Sequence, residues 1–218
     1  MQLAVTPQLP SHADIRSAEI LAAVRQTFVE KGFDGASMQD LARAAGMSVG
    51  NFYRYFPSKA AIIQALIHAH SAEIQSDFAV ILTAPHPLAA LRHVLHGRVL
   101  DEECIKDMGL WTEIEAAIRR SPDIARAAQG MQTKVIDQFL AVFAAETNLT
   151  LEQANRHFSA LAAYVLVMVK AASCLSCGSA LDQNEVRSMI LRSIDLTLDD
   201  VAAYPKTTAA EGSLTAAP

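Results

Sequence analysis

The stretch from Ser37 to Lys59, SMQDLARAAGMSVGNFYRYFPSK, constrains the fold more than any other part of the chain. Ser37-Met38-Gln39-Asp40 is a Ser-x-x-Asp capping box, which satisfies two backbone donors reciprocally and starts a helix. Leu41, Ala42 and Ala45 continue that helix with an apolar face at helical spacing. Gly46 supplies a sharp turn, since glycine turns through positive φ at no steric cost. Ser48 is placed to cap a second short helix of about 49–56. Pro57-Ser58 ends it, and Ser58 caps a longer helix beginning near Lys59. Two short helices joined by a tight turn, with a third following, is the layout of a helix-turn-helix.

The residue types inside this frame separate into two sets. Ala42, Ala45 and Gly46 are small enough to let the two helices approach closely, and Leu41, Met47, Phe52 and Phe56 are apolar and lock them together. A helix this short cannot bury every face, so Tyr53 and Tyr55 are expected at the surface. The exposed face is then Val49, Gly50, Asn51, Tyr53, Arg54 and Tyr55. Such a face suits the major groove of DNA. Asn51 can pair with adenine and Arg54 with guanine, while Gly50 permits close approach. Tyr53 and the hydroxyls of Ser37 and Ser48 suit phosphate oxygens. Lys59, beside a helix N-terminus, suits a further phosphate. Met38 completes the expected DNA-facing set.

The rest of the chain reads as helix throughout, with no repeat and no convincing strand. A first helix is expected from about Asp14 to Lys31, with Ile20, Leu21, Val24 and Phe28 on one face. Gly32 stops it as a left-handed cap, and Phe33 folds back on its last turn. The helix from Lys59 extends to about Leu82, and Ala84-Pro85-His86-Pro87 marks a boundary. Five further helices follow, at about 87–101, 104–120, 122–146, 151–176 and 183–203. Ser121-Pro122, Thr150-x-x-Gln153 and Asp182-x-x-Glu185 open the last three. The domain reading is an arm over residues 1–13, a DNA-binding head over 14–74 with the motif at 37–56, a helical body over 85–203, and a disordered tail over 204–218.

Charge and composition agree with a small head on an acidic body. The chain carries a net charge of −5, yet residues 1–70 hold six basic and five acidic side chains against twelve and eighteen in the remainder. Only 19% of residues are charged while 51% are apolar, so part of the helical surface must be covered by another domain or subunit. The run Phe158–Leu175 approaches membrane-spanning length, but Lys170, Ser159 and Ser173 interrupt it, and a helix apolar nearly all round suits burial in protein. No secretory signal is apparent, and Cys104, Cys174 and Cys177 form no disulfide framework, so a cytoplasmic protein is expected.

The first 70 or so residues resemble the TetR/AcrR family of one-component bacterial regulators. Ile20-Leu21, Phe28, Glu30-Lys31-Gly32-Phe33, Ser37-Met38, Asp40-Leu41-Ala42, Ala44-Ala45-Gly46-Met47-Ser48, Gly50, Tyr53, Tyr55-Phe56 and Ser58-Lys59 carry the resemblance. Phe52 stands where the family pattern usually has an aliphatic residue. The resemblance implies an all-α homodimer that binds a near-palindromic operator, with a ligand pocket in its C-terminal domain. It implies that the last two helices, about 151–176 and 183–203, pair with their counterparts. Repression, relieved when a small molecule binds, is the family default.

Candidate pocket residues are Met108, Trp111, Glu115, Met131, Phe139, Phe143, Phe158, Tyr164 and Met168. Trp111 near Glu113 and Glu115 suits a cationic or aromatic ligand, and the Met- and Phe-rich set suits an apolar one. Core packing is the alternative for all of them. Cys174-x-x-Cys177 and His93-x-x-His96 have ligand-like spacing but lack the further ligands a metal site needs. No phosphate-binding loop, nucleophile elbow or dinucleotide fingerprint is present, so neither an enzyme nor a cofactor is expected.

Overall fold

The computed structural model describes residues 12–100, 108–175 and 182–205. Nine α-helices account for these residues, and no strand occurs among them. In chain order they are α1 His12–Gly35, α2 Met38–Ala44, α3 Val49–Tyr55, α4 Lys59–Thr83, α5 Pro87–Leu100, α6 Met108–Ile118, α7 Pro122–Thr147, α8 Leu151–Cys174 and α9 Gln183–Ala202. Residues 1–11 of the expected arm, Cys104, Cys177 and the tail beyond Pro205 lie outside the described residues, as do the side chains of Met108 and Cys174.

Local chemistry places most of the helix ends. Ser37 and Thr150 each close a complete capping box, on α2 and α8. The Oδ1 of Asp182 accepts from the N–H groups of Asn184 and Glu185 to start α9. Pro122 opens α7, where its missing N–H costs nothing. The expected stop at Gly32 is different in kind. Its φ of 70° is positive, as a cap requires, but its ψ of 166° is extended rather than left-handed helical. Helical geometry resumes beyond it to Gly35, so Gly32 breaks α1 instead of ending it.

The chain divides into two compact units. One takes in the residues up to Ala69 together with Gly109–Ala127; the other takes in His70–Met108 and the residues from Ala128 onward. In the first unit, Ile20, Val24, Phe28, Leu41, Phe52, Ile62, Ile63 and Ile67 are buried, along with Leu110, Ile114 and Ile124. Each such side chain contributes about 1.5–3 kcal/mol by leaving water. The compact unit around the head thus includes α6 and the first turn of α7, a segment far beyond it in sequence. In the second unit α9 packs on α5 and α8, and Leu91, Val99, Phe143, Val165, Ile194 and Leu198 lie at the centre of one apolar cluster.

Candidate nucleic-acid interface

The α2–turn–α3 segment is held by bonds that its own residues supply. Ser37 Oγ accepts from the Asp40 N–H at 3.1 Å, and Asp40 Oδ2 accepts from the Ser37 N–H at 3.0 Å. The Ser37 hydroxyl also donates to Asp40 Oδ2 at 2.6 Å, and Lys31 Nζ donates to Asp40 Oδ1 at 2.7 Å. The Lys31 hydrogen bond, helped by those from Ser37, holds the Asp40 carboxyl well below the usual carboxylate range. At the turn, Gly46 has a φ of 65°, and the Gly46 and Met47 N–H groups donate to the carbonyls of Arg43 and Ala42. Ser48 Oγ then accepts from the Asn51 N–H at 3.4 Å and starts α3.

This frame sorts the side chains of α3. Phe52 and Phe56 are buried, with ring centroids 6.0 Å apart. Gly50, Asn51 and Arg54 are exposed, and Tyr53 and Tyr55 keep 47% and 37% of their surface in water. Val49 and Met38 are half-buried, while Ser37 and Ser48 are exposed. The helix therefore presents a continuous face with an amide, a guanidinium and two phenols on it. Backbone approach is open at Gly50, where an added Cβ would meet nothing within 4 Å.

Two expected phosphate contacts are already engaged within the head. The Ser37 proton is given to Asp40, so its hydroxyl is not a spare donor. Lys59 Nζ donates to the carbonyls of Phe33 and Asp34, at 2.8 and 3.1 Å, and stands 5.1 Å from the Phe33 ring centroid. It ties the start of α4 to the segment following the break in α1. The same segment is tied to α6: the Phe33 N–H donates to Glu113 Oε2 at 2.7 Å, and Arg120 pairs with Asp34 at 3.2 Å. In the sequence Glu113 is only an acid near Trp111, with nothing beside it to mark a bond to the head. A backbone partner 80 residues away carries no local signal.

The candidate pocket residues are distributed over both units. Trp111, half-buried, and Glu115, exposed, belong to the first unit, and the others belong to or border the second. Phe139, Phe143 and Phe158 are buried against one another, with centroids 6.4 and 5.9 Å apart. Phe78 and Tyr204 extend the row at its two ends. These three phenyl rings pack as core. Met131 and Met168 are half-buried, and Tyr164 is exposed. His93 is exposed, while His96 Nε2 lies 2.9 Å from Asp195 Oδ1. Among the described residues no group of three or more His, Cys, Asp or Glu side chains is arranged to hold a metal ion.

A capped two-helix motif with the outer face of its second helix open to solvent, in a chain with no strand among its described residues, defines a helix-turn-helix protein with a helical second unit. Residues 20–66 match the family model described as bacterial regulatory proteins, tetR family. The match covers the head of the chain and supports a TetR/AcrR-type regulator. It is 29% identical over 117 residues to the HTH-type transcriptional regulator UidR of Escherichia coli strain K12, a match covering 54% of this chain and 59% of UidR. The chain spans about half the length of the curated relatives it matches. The fold is shared with Salmonella enterica GusR, at a TM-score of 0.67 and 23% identity over 87% of this chain and 98% of GusR. It is shared also with AibR, solved in complex with isovaleryl coenzyme A and operator DNA, at a TM-score of 0.58 and 14% identity over 82% of this chain and 97% of AibR.

Proposed function

We propose that this protein is a DNA-binding transcriptional regulator, acting in the cytoplasm as a homodimer and without catalytic activity. In this reading it represses transcription and leaves a near-palindromic operator when a small molecule binds the helical unit. The observation that carries the reading is the face of α3. Its buried phenylalanines fix the helix, and Gly50, Asn51, Tyr53, Arg54 and Tyr55 are left to solvent on the side that a major groove would meet. Asn51 and Arg54 read bases, Tyr53 and Ser48 contact phosphates, and Val49, Tyr55 and Met38 pack against the duplex. Ser37 and Lys59 act chiefly by holding the head in shape, given the bonds they already make.

The dimer reading is supported by apolar surface on the last two helices. Val167 on α8 and Met189 on α9 are 55% and 65% exposed, with Tyr164 and Leu196 also open. A second copy would cover them, and a two-fold pair of heads would enter successive major grooves about 34–36 Å apart. Ligand response is supported by a fold neighbour solved with a coenzyme A ester and operator DNA together. A ligand acts only through its different affinity for the two conformations, so it must prefer one whose heads are wrongly spaced. No helix among the described residues is long and apolar enough to cross a membrane.

Selection of binding sites from a random duplex library tests the proposal. The expected result is a two-fold symmetric site whose half-sites lie about one helical turn, or a multiple of it, apart. Recovery of no preferred sequence at moderate salt would contradict it.

A further inference from the structure

We propose that Arg187 is the anion-binding residue of the effector site, and that the effector is an organic carboxylate with an apolar body. The inference rests on the ligand-responsive reading above and names the chemistry of its ligand. Arg187 lies on α9 and is only 5% exposed. Its Nη1 donates to the carbonyl of Val99, near the end of α5, at 2.5 Å. Its Nη2 is enclosed and has no hydrogen-bond partner among the described residues. A guanidinium is charged at every physiological pH, so burial without an opposite charge cannot be relieved by loss of a proton.

Arg92 is held quite differently. Arg92 lies on α5, along the same α5–α9 seam, and its side chain is 30% exposed. It nevertheless holds two carboxylates, Asp195 at 2.7 Å and Asp199 at 2.5 Å. His96 shares Asp195 from the next turn of α5. Among the described residues the seam thus supplies acids to its more exposed arginine and none to its buried one. Asp195 stands two turns along α9 from Arg187, about 12 Å by helical rise, and is already engaged. The carbonyl of Val99 satisfies one arm of the guanidinium and suits a cation at a helix C-terminus. It leaves the fork that matches a carboxylate half used. Val99 and Ile190, one turn from Arg187, belong to the apolar cluster of the second unit, so hydrocarbon lies beside the charge.

The experiment measures the thermal midpoint of the full chain with benzoate, hexanoate, and the uncharged benzamide and hexanamide. At about ten times its dissociation constant a carboxylate raises the midpoint by about 3–6 °C, and its amide does not. Arg187→Met abolishes the carboxylate response while the unliganded midpoint holds or rises, because an unpaired buried charge has gone. Arg187→Lys keeps a weakened response, which distinguishes lost recognition from a misfolded Met variant. Equal shifts with acids and amides, no shift with either acid, or a full response in Arg187→Met would overturn the proposal. So would a steep drop in the unliganded midpoint of Arg187→Met, which would make the residue a helix cap. The assay contains no DNA. A carboxylate that binds through Arg187 but fails to release the operator leaves this site standing and removes the ligand-release reading instead.

Discussion

At Gly32 the backbone adopts φ 70° and ψ 166°, a region that residues with a Cβ scarcely enter, and a Cβ built there would lie 3.3 Å from Glu113 Oε2. The break turns the next N–H toward that carboxylate, so one residue sets both the path of α1 and its tie to α6. Gly32→Ala is expected to lower stability by about 1–3 kcal/mol, read as a lower urea midpoint at unchanged slope. Glu113→Ala leaves the half-buried Phe33 N–H without its acceptor and costs about 1–3 kcal/mol; Glu113→Gln, which keeps a carbonyl oxygen, costs less. Gly32 was legible as a breaking residue from its place after Glu30-Lys31. Its extended ψ was not, because that depends on what the freed N–H finds. Arg187 is marked in the sequence by its place on the stripe of Ile190, Ile194, Leu198 and Val201, where a charge breaks an otherwise apolar face.

Helix ends were the most legible feature of this chain, because caps and prolines act within three or four residues of themselves. Ser37, Ser48, Ser58, Pro122, Thr150 and Asp182 all open helices where their side chains predict. The sorting of α3 into buried Phe52 and Phe56 and exposed Tyr53 and Tyr55 was legible for a related reason: a seven-residue helix has too little surface for ambiguity. Partners distant in sequence were not legible. Lys59 read as a free cation beside a helix N-terminus, and only the fold brings the Phe33 and Asp34 carbonyls to it. Likewise, Phe139, Phe143 and Phe158 read equally well as lining or as core until their rings were seen to pack together. At the start of α2, Ser37→Ala is expected to cost about 0.5–2 kcal/mol of stability. Asp40 adds a pH dependence. Its carboxyl is depressed in the folded head by Lys31 and then Ser37, so its contribution is fully present above the ordinary aspartate value near 4 and is lost as pH falls through the lower folded value. Unfolding midpoints measured from pH 6 downward should fall less steeply for Asp40→Asn than for the unaltered chain.

For the whole molecule, modest basicity and exposed apolar helices belong together. Residues 1–70 carry six basic and five acidic side chains, so a single head has little general attraction for phosphate. Two heads joined through α8 and α9 would overcome this by binding as one body. Val167→Asp combined with Leu196→Asp is expected to yield a monomer in sedimentation equilibrium and to weaken operator binding by at least tenfold, although neither residue lies in the head. Such coupling would also give the proposed effector something to control, since a ligand that alters the spacing of two heads need touch neither of them.

Reading of base edges by α3 depends most on Arg54, the guanidinium on its open face. The measurement is the affinity of Arg54→Ala, at fixed salt, for the duplex selected by the unaltered protein and for a scrambled duplex. The expected result is a loss of about 5- to 150-fold on the selected duplex, from about 1–3 kcal/mol of base discrimination, a smaller loss on the scrambled one, and unchanged helical content by circular dichroism. Equal affinity of Arg54→Ala and the unaltered protein for the selected duplex would contradict it.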